Sequence, residues 1–71
     1  MSKKELLEEA RRLAGLHQSK KDLIYNIMKD LDQGNKSSQM YIGGIAKIND
    51  ILKEMKELEE QYEKIYLEIK Q

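Results

Sequence analysis

The chain contains no cysteine, so neither a disulfide nor a thiolate metal site can brace it, and nothing implies an oxidising compartment. Proline is also absent. With Leu, Ile, Lys and Glu abundant, that absence favours an all-helical chain. No apolar run approaches the ~20 residues needed to cross a bilayer. The opening segment MSKKELLEE lacks the uninterrupted apolar core of a secretory signal. A soluble, cytoplasmic protein is the expectation. Net charge is missing too: 13 basic and 13 acidic residues cancel. That balance argues against a chain built to coat nucleic acid or an anionic membrane, and leaves little repulsion to oppose self-association. At 71 residues there is room for one small domain, marginally stable unless something else helps it.

The most ordered pattern lies in the second half. Tyr41, Gly44, Ile48, Ile51, Met55, Leu58, Tyr62, Ile65 and Ile69 recur at alternating steps of three and four. Such spacing keeps one seam of an α-helix apolar from end to end. Ile45, Leu52 and Tyr66 widen the seam at the neighbouring heptad position, and Glu59 interrupts that second row. Tyr41 and Tyr62 read as core residues whose hydroxyls reach the rim.

The first half carries a similar pattern. Ser2 and Glu5 fit a capping box, and Glu8 to Arg12 is a favourable pair one turn apart. A seam runs Leu6, Ala10, Leu13, His17, Lys20, Ile24, Ile27, Leu31, polar only at His17 and Lys20. Competing signals mark a break: Gly15 follows two arginines, and Ser19 with Asp22 fits a second capping box. One helix, or two separated near Gly15–Ser19, both remain open at this level.

The segment DQGNKSS, residues 32–38, is the one clear turn. Gly34 or Asn35 can take the left-handed conformation that ends a helix, and Ser37 or Ser38 can cap the next. Arm 1 then spans about 3–33, the turn 34–38, and arm 2 about 39–70. The fold class is all-α: an antiparallel helical hairpin. Pairing about the turn sets Leu31 near Tyr41, Ile27 near Ile45, Ile24 near Ile48, Leu13 near Leu58 and Leu6 near Tyr66. Gly43 and Gly44 would let the backbones approach near the turn. Arg11, Arg12, Lys20 and Lys21 would face the acidic run Glu54 to Glu63.

Two helices cannot cover each other's broad apolar faces, and Leu16, Leu23, Ile42 and Leu67 fall outside the seams. Association resolves this, most simply as a homodimer of hairpins forming a four-helix bundle. The expected interaction face comprises the nine seam residues of arm 2 with Leu52 and Tyr66, joined by Leu16 and Leu23 of arm 1. A larger helical protein is the alternative partner. No cofactor, metal or small-molecule substrate is expected.

Residues that could carry chemistry are few. His17 and Lys20 form His-x-x-Lys, a spacing that resembles histidine phosphotransfer domains, but the residues after the lysine do not follow that family's small-residue pattern. A histidine in a polar layer accounts for His17 without chemistry. Glu57, Glu59, Glu60 and Glu63 lie among no histidine, whereas di-metal bundles need Glu-x-x-His. Tyr25, Tyr41, Tyr62 and Tyr66 have no interleaved basic stripe of the kind a nucleic-acid stacking surface requires. The chain is therefore read as a non-enzymatic interaction module, a regulator or adaptor. A dimer face of Lys20, Lys21, Lys29 and Lys36 would be the basis of an RNA- or DNA-binding alternative.

Two resemblances bear on architecture. In layout the chain resembles the small plasmid copy-number protein whose hairpins dimerise into a four-helix bundle on paired RNA loops. Through Gly34, Gln39 and Tyr41 it is similar to the co-chaperones of type III secretion needle subunits, with Met40 separating the Gln-Tyr pair of that family. That likeness covers less than a third of the chain and implies a cytoplasmic hetero-complex with a helical-repeat partner.

Overall fold

A computed structural model describes residues 2–71. Two helices account for almost all of it, α1 (Lys3–Leu31) and α2 (Ser38–Lys70), packed along their length into a rod of 52 × 15 × 13 Å. No helix among the described residues is long and apolar enough to cross a membrane.

The start of α1 is fixed by the Ser2–Glu5 capping box. Ser2 Oγ accepts from Glu5 N at 3.1 Å, and Ser2 N donates to Glu5 Oε1 at 3.4 Å. The helix then runs unbroken through Gly15, which settles the alternative left open by the sequence. Ser19 caps nothing; its hydroxyl bonds back to the Gly15 carbonyl at 3.0 Å, and Gln18 Nε2 donates to Asp22 Oδ1 at 3.0 Å. A glycine inside a helix costs only about 1 kcal/mol, less than breaking a rod packed along both sides of that point.

The turn uses Gly34, at φ +70°, the only left-handed residue among those described. Ser37 rather than Ser38 caps α2, its hydroxyl accepting from Met40 N at 3.2 Å. Leu31 ends α1 two residues before the expected boundary, which lengthens the loop.

That longer loop goes with a register different from the one that pairing about the turn sets. Leu31 lies against Gly44, not Tyr41: a Cβ on Gly44 would stand 2.7 Å from Leu31 Cδ1. Ile24 joins both Ile48 and Ile51, with Ile27 and Met55 against them. Leu13, expected beside Leu58, also reaches Tyr62, and all three line one cleft. The arms have slid by about three residues, roughly 4.5 Å of helix rise. By the same count Leu6 comes level with Ile69 instead of Tyr66. The missing Cβ at Gly44 makes room for the Leu31 side chain, whereas Gly43 has open space beside it. Tyr41 consequently overshoots the end of α1 and stays 43% exposed, not core as expected.

The core itself is thin. Among the described residues Leu6, Ala10, Leu13, Ile24, Ile48 and Ile51 are buried, and only Leu13, at 1% exposure, is fully enclosed. Thirteen large apolar residues among those described remain exposed.

Candidate interaction faces

Each helix turns about 100° per residue, so seven-residue steps return to nearly the same side. In heptad letters the seam occupies a and d, and rows e and g run along its two edges. When two helices pack antiparallel, row e of one adjoins row e of the other, and the g rows meet on the opposite side. The hairpin therefore has two long flanks of different composition.

The e rows read Leu7, Ala14, Lys21, Met28 on α1 and Ile45, Leu52, Glu59, Tyr66 on α2. Five large apolar side chains stand there about half exposed, Leu52 at 49% and Ile45 at 50% among them. Outside them, at the adjoining b positions, lie Tyr25 and Ile42, the latter the most exposed of the large apolar residues. A cleft of about 410 Å³, lined by Leu13, Ala14, His17, Leu58, Glu59 and Tyr62 among others, opens along this edge. A shallower hollow on α2 between Tyr41, Ile42 and Ile45 continues it toward the turn. This side is the apolar flank.

The g rows read Glu9, Leu16, Leu23, Asp30 and Met40, Lys47, Glu54, Gln61, Glu68. Only Leu16, Leu23 and Met40 are apolar. They adjoin a cleft of about 580 Å³ near the turn, where Leu23, Ile27, Leu31 and Met40 share the walls with Asp30 and Lys47. This side is the mixed flank.

The expected interaction face is thus divided among three places. Gly44, Ile48, Ile51, Met55, Leu58, Ile65 and Ile69 turn into the seam, where they are buried or half-buried against α1. Leu52 and Tyr66 stand on the apolar flank, and Tyr62, 47% exposed, reaches the cleft beside them. Leu16 and Leu23 stand on the mixed flank, across the hairpin from Leu52. Leu7, Met28 and Ile45 belong to the apolar flank and were missing from the expected face. Seven-residue steps starting at Leu7 on α1 and at Ile45 on α2 were the signal for them.

The charges are sparser across the seam than the facing runs implied. Lys20 Nζ reaches Glu54 Oε2 at 2.5 Å, and His17 Nε2 lies 3.4 Å from Glu59 Oε1 without hydrogen-bond geometry. Arg12 turns back to Glu9 on its own helix, not to Glu8 and not to α2. Its hydrogen bond holds the Glu9 carboxyl below the ordinary carboxylate range, and the same bond raises Arg12. Lys36 and Asp30 approach to 4.0 Å beside the turn, and Lys70 lies 5.9 Å from the centre of the Tyr66 ring. Among the described residues no group of three or more His, Asp or Glu side chains is arranged to hold a metal ion. No protein-family model, curated protein or solved structure matches the chain.

Proposed function

We propose that this chain is a small, non-enzymatic protein-interaction module: a helical hairpin completed as a four-helix bundle by a second copy, acting as a regulator or adaptor through the macromolecule it then binds. A cytoplasmic setting is part of this reading. One observation carries it. Among the described residues thirteen large apolar side chains are exposed against six buried residues, and most of the exposed ones lie along one flank. Monomeric proteins rarely leave contiguous apolar surface of that extent in water, and covering such a face is the ordinary route by which hairpins of this size become stable.

Sedimentation equilibrium over a range of concentrations tests the reading. A species of twice the 8.4 kDa chain mass is expected, dissociating and losing helicity together on dilution. A single chain of 8.4 kDa that melts cooperatively and binds no apolar dye would contradict it.

A second reading is favoured by the mixed flank. Its cleft near the turn, lined by Leu23 and Met40 among others, stays open when the apolar flank is covered and offers apolar walls to a helix of a larger protein. A helical partner, as in a co-chaperone complex, would dock there. An orphan subunit that aggregates alone and becomes a stable one-to-one complex with that partner would support this reading over the first.

A further inference from the structure

Two hairpins can cover each other's apolar flanks in two ways that respect two-fold symmetry. With the axis parallel to the helices, both turns lie at the same end. With the axis across the helices, the turns lie at opposite ends. The only charged residues in the e rows are Lys21 and Glu59, and they decide between the two.

In the same-end arrangement every residue of α1 lies level with its own counterpart in the other copy. Lys21 then shares a layer with a second Lys21, and Glu59 with a second Glu59, each like pair enclosed between apolar layers. In the opposite-end arrangement α1 runs parallel to α2 of the other copy, and the observed seam register, with Leu31 against Gly44, fixes their levels. Centring the two flanks on each other places Lys21 level with Glu59 of the other copy. The same centring puts Ala14 level with Leu52 of the other copy, so that Leu52 faces the cleft between Ala14, Leu58 and Tyr62. At the ends, Leu7 comes level with Ile45 and Met28 with Tyr66, again across copies. All four layers match at once because both helices space these residues by seven. At the outer b positions Lys4 faces Asp32 of the other copy, while Lys56 lies near its own counterpart at the exposed centre.

We infer that the occupant of the apolar flank is a second copy of this chain, docked with the turns at opposite ends, and that crossed Lys21–Glu59 pairs specify this orientation. The inference rests on the dimeric reading above and deepens it. Opposite charges enclosed in one layer attract, whereas like charges there repel and hold their water, so the orientation is set by what the wrong one would enclose. The symmetry gives two such pairs per dimer.

The absence of cysteine allows a unique label: Asn35→Cys in the turn, carrying a spin label, reports the distance between turns. A separation slightly above 50 Å, close to the 52 Å length of the rod, is expected. Lys21→Glu and Glu59→Lys are each expected to weaken the dimer at least about tenfold, and the double variant to recover most of that loss. His17→Gln separates this from the local contact with Glu59, since it alters that contact and leaves both charges of the layer in place; an unchanged dissociation constant is expected, and a loss as large as that of Glu59→Lys overturns the crossed pairs. A dimer with turns close together, or a double variant as weak as the sum of the singles, overturns the orientation and leaves the dimer standing. A monomer at all concentrations overturns both.

Discussion

The two flanks of this hairpin are built from the same two helices and the same heptad spacing, yet they differ in kind. Along one, Leu7, Met28, Ile45, Leu52 and Tyr66 make a nearly continuous apolar strip with one cation and one anion in it. Along the other, Glu9, Asp30, Lys47, Glu54, Gln61 and Glu68 leave Leu16, Leu23 and Met40 separated by charge. A seam alone makes a hairpin; a second apolar row on one side only leaves that side of the hairpin exposed. In the proposed dimer, polar residues in the g rows would leave further copies no comparable face on which to add.

The largest expected effect breaks this contrast directly. Leu52→Asp places a carboxylate in the middle of the apolar flank, and is expected to weaken self-association by about 3 kcal/mol, roughly 100-fold in dissociation constant. Leu23→Asp, the same change at a similarly exposed residue of the mixed flank, should leave the sedimenting mass unaltered. Equal effects from the two would abolish the distinction between the flanks.

Next comes the seam that both flanks share. Leu13 is the one fully enclosed side chain among the described residues, so Leu13→Ala should lower the stability of the folded state by about 3 kcal/mol in urea denaturation. A loss under ~1 kcal/mol would mean that the seam contributes less than its burial implies.

Smaller effects separate the glycines. Gly34 holds a left-handed backbone, so Gly34→Ala is expected to cost about 1 kcal/mol. Gly15 sits inside α1 with nothing within 4 Å of a built Cβ, so Gly15→Ala should raise the melting temperature by an amount equivalent to about 0.5–1 kcal/mol. The smallest effect is electrostatic. The Glu9 carboxyl is held below its ordinary value by Arg12, so its contribution is present above the unfolded-state value and fades as pH falls through the lowered one. Acid titration of Glu9→Gln should lack that small step, and an unchanged profile would mean that the exposed pair contributes nothing measurable.

Much of the fold was legible because its signals are local and repeated. The Ser2 cap, the Gly34 turn and the alternating steps of three and four each follow from a few neighbouring residues. The register was not, because it depends on where two helices touch: Leu31 slides past Tyr41 to the gap at Gly44, and no short window contains both ends of that contact. The same shift explains Tyr41, apolar in pattern but beyond the end of α1. Lys21 and Glu59 read singly as a solvated lysine and an interruption in an apolar row. Only the seam register shows that they occupy corresponding places on one flank.

The most direct measurement is a dilution series followed by methyl NMR. Ile45 and Leu52 report on the apolar flank, and Leu16 and Leu23 on the mixed one. The account predicts that on dilution, while the chain is still helical, the resonances of Ile45 and Leu52 shift as the molecular mass halves and those of Leu16 and Leu23 stay in place. Resonances of Ile45 and Leu52 that never respond, on a chain that remains singly folded at 8.4 kDa throughout, would contradict it.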